Sequence, residues 1–409
     1  MSEPDLRVLR AELCAVLVRR FGVARHAEVE DAVQEAVARM LARTPADPPD
    51  DAGAWLYRVA SNHLLGEAAT RQNRARILNL STTDVPGPSP DDAPAHLAHE
   101  LPDAALRMLF VCCDPTLPAP SQLALALSVL CGLTVDEVAL RLFASKAHIY
   151  KRLARARTRL RTSGVELDAL DDATLAQRLP AVHHVLYLMF TEGHLATQAD
   201  RGVRRELCAD ALRLALLLTR HPTTDVPATS ALVALFHLHA SRLDARVDAD
   251  GHVILLDEQD RAAWDRRLVA EGLRWLARSA RGDALSRYHL EAEIAAEHSL
   301  APSFSQTRWE RLVTLYAQLD QVCPSPLHAL NRALAIAEVD GPRAALVALD
   351  GQEPPAWLEV SHLWSAVLAD LHRRAGDVTA AEAHRQRALA SAPGESLRAV
   401  LARRLAATP

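Results

Sequence analysis

The sequence predicts an all-α protein of more than one domain, and three observations carry that prediction. Glycine numbers only 15 in 409 residues and aromatics make up 4%, while Ala, Leu and Arg abound. Those three residues lose little on entering a helix, and glycine loses much. Apolar residues recur at helical spacing along most of the chain, and they make up 49% of it, enough for real cores. Runs of β-branched residues are nearly absent; "HVILLD" at 252–257 is the one strand-like piece. A chain of this length is expected to form two to four domains.

The elements follow in order. In "PDLRVLRAELCAVLVRRFG" the residues Leu6, Leu9, Leu13, Val16 and Leu17 share one helical face. In "EVEDAVQEAVARML" the residues Val29, Val33, Val37 and Met40 do the same. "TPADPPDDAG" breaks the helix with its prolines, and a third helix starts at "AWLYRVASNHLL" and runs toward Arg76. Residues 81–94, "STTDVPGPSPDDAP", read as a flexible linker, because so few large apolar groups cannot offset the entropy of ordering. A second helical unit follows, ending at about residue 163. Beyond it lie further helical segments. The stretch from "LWSAVLADLHRRA" to "SAP" has small Ala369, Ala381 and Ala388, Gly376 at a turn and Pro393, a tetratricopeptide-like pattern of paired helices. The expected domains are therefore 1–79, a linker at 80–101, 102–163, and a larger helical domain at 164–409.

Charge singles out one segment. The chain carries a net charge of −5, yet residues 133–161 hold eight basic side chains against two acidic ones. Within it, Thr134 and Glu137 form a capping box, and Ser145 is a natural cap for a second helix, so the pattern is a helix-turn-helix. On the second helix Ile149, Leu153, Ala156 and Leu160 make a narrow apolar stripe. The opposite face presents Ala147, Lys151, Ala154, Arg155 and Thr158, with Lys146, His148 and Arg152 beside it. Small residues among cations let a helix approach a major groove closely. Arg157, Arg159 and Arg161 lie farther round and are expected to hold phosphates.

"LTVDEVALRLFASKAHIYKRLARARTRLR" resembles the promoter-reading helix-turn-helix of extracytoplasmic-function sigma factors, with Phe143 where many of them have a turn glycine. "DAVQEAV" at 31–37 resembles the helix by which these factors grip core RNA polymerase, which implies that role for Asp31, Gln34 and Glu35. "AWLYRVASNHLL" resembles their minus-10 segment, with Asn62 as the base reader. The family continues with a dense basic run, where this chain has only Arg71, Arg74 and Arg76, so fewer phosphate contacts are implied. "LFVCCDPTL", with Asp114 where a His is frequent, and "VLYLMFTEGH" resemble a subgroup with a tetratricopeptide-like extension taken to be regulatory. The implied partners are core RNA polymerase, promoter DNA, and a regulatory protein or ligand at the C-terminal domain.

Other constellations are weaker. His183, His184, Glu192, His194, His237 and His239 lack metal-ligand spacing and read as satisfied or surface histidines. Cys112 and Cys113 read as small hydrophobes in an apolar helix. Gln259, Asp260, Arg261 and Trp264, with Asn331 and Arg332, are a ligand pocket or, as the preferred reading, a hydrogen-bonded helix start and interdomain packing. No P-loop, nucleophile elbow or catalytic carboxylate pair is visible, so neither enzyme activity nor a cofactor is expected. No signal sequence, membrane span or disulfide framework appears, which predicts a reduced, cytoplasmic protein. The rival functions are a DNA-binding regulator without polymerase binding, and a ligand-sensing or enzymatic C-terminal domain.

Overall fold

A computed structural model describes residues 3–42, 51–77, 97–131, 133–142, 144–163, 170–194, 205–246, 248, 254–392 and 394–406. Every regular element among them is a helix, as the composition predicts. The chain divides into two compact units, residues 1–189 with 220–224, and residues 190–219 with 225–409.

In the first unit α1 (Glu3–Phe21) is the hub. Helices α2 (His26–Leu41), α3 (Ala52–Ile77), α4 (Leu97–Cys112) and α5 (Ala119–Leu130) all pack on it. Consecutive buried residues from Leu13 to Val18 run right round α1, which marks a helix covered on all sides. Gly22, at φ 91°, ends it in a backbone conformation that disfavours a side chain. On α2 the buried residues are His26, Val29, Ala32, Val33 and Ala36, whereas Val37 and Met40 are only half-buried. Two steps of four residues carry Val37 about 80° round a 3.6-residue helix, so the small Ala36 takes its expected place.

Helices α6 (Val135–Arg141) and α7 (Lys146–Ser163) complete the set, with the first part of α8 (Asp172–His194). The linker segment 81–94 lies outside the described residues, and α4 starts at Leu97, inside the interval given to the linker. The first unit also runs on past residue 163. Arg178 of α8 donates to the Phe110 carbonyl at 3.1 Å and to Asp114 Oδ2 at 3.1 Å. Burial opposes the Asp114 charge. The amide and hydroxyl of Thr116, with Arg178 and Arg159, nevertheless hold its carboxyl below the usual aspartate value. Asp114 thus ties "LFVCCDPTL" to α8.

The second unit is built round α10 (Pro227–Ala240), which is buried from Thr229 to Leu238 and covered by α9 (Arg205–Leu218), α11 (Arg266–Ser279) and α12 (Arg287–Leu300). Gly272 lets α11 approach: a Cβ there would lie 2.6 Å from Leu238 Cγ. Further helix pairs follow: α13 (Trp309–Val322) with α14 (Pro326–Val339), α14 with α15 (Pro342–Leu349), and, after the short α16 (Ala356–Glu359), α17 (His362–Ala375) with α18 (Val378–Ala390). α19 (Glu395–Arg404) packs on α18. Gly376, left-handed at φ 85°, ends α17, and buried Ala369 and Ala388 belong to one core cluster, as the Ala/Gly pattern predicts. The strand-like piece does not form a strand in its described residues. Ile254 and Leu255 are irregular, with turns after them, and the Ile254 amide bonds the Arg246 carbonyl at 2.8 Å. A short apolar run has no period of its own to enforce a strand.

Candidate nucleic-acid interface

The α6–α7 pair is fixed by local chemistry. Thr134 Oγ1 accepts the Glu137 amide at 3.2 Å, and the Glu137 carboxylate accepts the Thr134 amide at 2.8 Å, closing the capping box. Ser145 Oγ accepts the His148 amide at 3.3 Å, starting α7. Ile149, Leu153, Ala156 and Leu160 are all buried and anchor α7 on its neighbours. Phe143 lies outside the described residues.

The opposite face of α7 is open. Lys146, Ala147, His148, Lys151, Ala154, Arg155 and Thr158 are exposed, and Arg152 is half-buried. A hollow of about 480 Å³ runs beside this face, between Pro118, Pro120 and Ser121 on one side and Ala147, His148, Lys151, Arg152 and Arg155 on the other. Lys146 is paired with Asp136 at 2.7 Å, but both are well exposed, so the pair is weak and its cation available. Two of the expected phosphate holders have protein partners instead. Arg157 is paired with Glu30 of α2 at 2.8 Å, and Arg159 donates to the Thr116 hydroxyl at 3.2 Å. Arg161 stays exposed.

On the first helices, Asp31, Gln34 and Glu35 form an exposed face of α2. Glu35 pairs with Arg39 at 2.9 Å. Asp31 and Gln34 line a cavity of about 260 Å³ with Arg10, Glu30, Thr134, Val135 and Arg157. Burial raises the Glu30 carboxyl above its ordinary value, against the pull of Arg157 and Arg10. His26, one turn before Glu30, is held down to about 4 by burial and by Arg157. Asn62 is exposed on α3. Arg71, Arg74 and Arg76 fall on the same helix, and their side chains lie outside the described residues.

Comparison with known proteins covers part of this arrangement. Residues 8–74, which span α1, α2 and most of α3, match sigma-70 region 2. The N-terminal helices carry a sigma-70 region 2 domain, which supports a sigma-70 family sigma factor. A second match, residues 178–280, is to a family of unknown function (DUF6596). An uncharacterized protein of Rhizobium meliloti is 38% identical over 329 residues, covering 78% of this chain and 76% of its own length, and the two belong to one family. No solved structure matches.

The exposed α2 face and Asn62 lie inside the region 2 match, and α7 lies outside both matched segments. The second match begins at Arg178, the residue that reaches Asp114. The C-terminal residues sort as follows. Asp260 caps a short 3-10 turn by accepting the Ala262 amide at 2.9 Å. Arg261 is buried, donates to the carbonyls of His298 and Ala301, and lies 4.8 Å over the Trp264 ring. Gln259 is also buried and donates to the Ile254 carbonyl at 3.0 Å. Asn331 and Arg332 are exposed on α14. His237 Nδ1 bonds the Val233 carbonyl at 2.8 Å, while His239 and His194 approach each other with ring centroids 4.7 Å apart. Among the described residues no group of three His, Cys, Asp or Glu side chains is placed to hold a metal ion. Cys112 and Cys113 are free and buried, and burial pushes both thiols up, away from the reactive thiolate. No described helix is long and apolar enough to cross a membrane. Sequence reasoning missed the contacts Arg178–Asp114 and Arg157–Glu30; charge pairs between distant segments leave no local pattern.

Proposed function

We propose that this chain is a transcription initiation factor of the extracytoplasmic-function type, working in the cytoplasm without enzymatic activity of its own. Its α2 face, with Asp31, Gln34 and Glu35, grips core RNA polymerase. Asn62 on α3 reads the melted minus-10 strand, with Arg71 and Arg74 on its phosphates. The α6–α7 helix-turn-helix places Lys151, Arg152 and Arg155 against base edges in the major groove, with Lys146, Ala147 and His148 at the entering end. Residues 1–79 and 102–163 act as the two promoter-reading domains, and residues 164–409 act as a tetratricopeptide-like regulatory extension.

The single observation that carries this reading is the region 2 match over residues 8–74 together with what it leaves open. Asp31, Gln34, Glu35 and Asn62 are all exposed, where a partner can reach them. The open cationic face of α7 supports the DNA contact. The test is binding of the purified chain to core RNA polymerase. Wild type is expected to co-elute with the core enzyme, and a double variant Asp31→Lys, Gln34→Ala to bind at least tenfold more weakly. A chain that binds DNA but never the core enzyme would be a DNA-binding regulator instead.

A further inference from the structure

In the second unit three helix ends converge on a cationic cluster that none of the matches explains. His194 ends α8, His239 lies in the last turn of α10, Arg242 and Arg246 follow α10, and His298 lies near the end of α12. Arg246 Nη1 donates to His194 Nε2 at 3.0 Å. Arg242 Nη2 donates to the same nitrogen at 3.3 Å and to His239 Nδ1 at 3.2 Å. A guanidinium can only donate, so His194 Nε2 and His239 Nδ1 must both be acceptors, and both rings are neutral. His194 Nδ1 then carries the ring proton, and it is buried without a partner, as is His298 Nδ1.

What is missing is a counter-charge. Among the described residues no carboxylate pairs with Arg242 or Arg246, whereas other arginines of this unit have one, such as Arg308 with Glu297 and Arg287 with Glu291. Burial and the charge of Arg246 hold Arg242 down to about 9, a marker of a guanidinium with little solvent and no anion beside it. Both arginines are half-buried, so part of each side chain is still open to solvent. Buried cations are normally paired, because leaving one uncompensated is costly.

We infer that Arg242 and Arg246, with His194 and His239 orienting them, form a binding site for the phosphoryl group of a small molecule. Two guanidinium forks match the oxygens of a phosphate, and two positive charges balance a phosphate dianion, whereas a single carboxylate would leave one charge over. This inference is independent of the promoter-reading role.

The test uses the full chain and inorganic phosphate as the probe, at fixed ionic strength set with chloride. Phosphate is expected to raise the melting temperature saturably, and succinate to do so much less. Arg242→Gln and Arg246→Gln are expected to weaken phosphate binding at least tenfold. In phosphate-free buffer Arg242→Gln is expected to melt no lower than wild type, since it removes an uncompensated charge. Lys151→Ala with Arg155→Ala, on the exposed face of α7, should leave the phosphate response intact. No phosphate response in wild type would overturn the inference. So would a response that survives both Gln variants, one that vanishes with the α7 variant, or one matched by succinate. A sharp loss of stability in Arg242→Gln without phosphate would show that the chain itself neutralises the arginine, and would overturn it as well.

Discussion

Two cationic clusters in this chain use the same residue types in opposite surroundings. On α7, Lys146, Lys151 and Arg155 stand in water on one side of a helix whose other side is a buried apolar stripe. In the second unit, Arg242 and Arg246 are sunk among imidazoles at the meeting of three helix ends. The exposed set keeps its charge at little cost and can trade counterions for a long polyanion, which gives affinity that falls with salt. The sunken set cannot stay charged comfortably without a compact anion. The difference teaches that the number of arginines does not identify the ligand; the dielectric around them and the presence of a partner do. A third case lies between: Arg178 is as buried as the second set but is matched by Asp114 at 3.1 Å.

The largest expected effect comes from forcing charge into the buried histidines. His26 and His183 are each held down to about 4, from an ordinary value of 6.5, mainly by burial. Their folded values lie below the unfolded one, so the unfolded chain binds more protons between those limits. Stability therefore falls as pH drops from about 6.5 to about 4, by roughly 3 kcal/mol for each of the two. Chemical denaturation at stepped pH should show the loss beginning below pH 6.5; a flat profile down to pH 4 would mean these rings are already charged or solvated.

Next in size, Asp114→Ala would leave Arg178, like Arg242 and Arg246, without a carboxylate partner. A loss of about 3–5 kcal/mol is expected in equilibrium unfolding, and an added Arg178→Met should recover much of it. A loss below about 1 kcal/mol would show that the pair is solvated and that the contrast with Arg242 is false. Lys151→Ala and Arg155→Ala, by contrast, should leave stability within about 0.5 kcal/mol of wild type. Each should cost about 1–3 kcal/mol in promoter binding and relax base preference at one position, as read by competition binding on a substituted-site series. The smallest effect is Thr134→Ala, which opens the capping box and should cost about 1 kcal/mol without touching the α7 face.

How much of this was legible in the sequence depended on distance along the chain. The capping box and the Ile149, Leu153, Ala156, Leu160 stripe lie within a few turns, and period and cap chemistry specify them together. The α17–α18 pair could be read because Gly376 must turn and Ala369 and Ala388 must let helices touch. By contrast, Arg157–Glu30, Arg178–Asp114 and Arg246–His194 join residues 127, 64 and 52 positions apart, and polar pairs of that kind follow no period. The histidines at 194 and 239 were visible as a group, but their partners were arginines, which a search for metal ligands passes over. The packing of α8 was hidden for a related reason: it carries buried Leu175, Leu179, Val182, Leu186 and Met189, and nothing local says which unit they cover.

Run-off transcription with purified core RNA polymerase on a genomic promoter library tests the promoter-reading role most directly. Wild-type chain should produce transcripts from a small set of start sites sharing two sequence elements. Lys151→Ala with Arg155→Ala should lose most of that output while still binding the core enzyme. The contradicting result is equal transcription from both proteins, or no chain-dependent transcript at any site even though the chain binds polymerase and DNA.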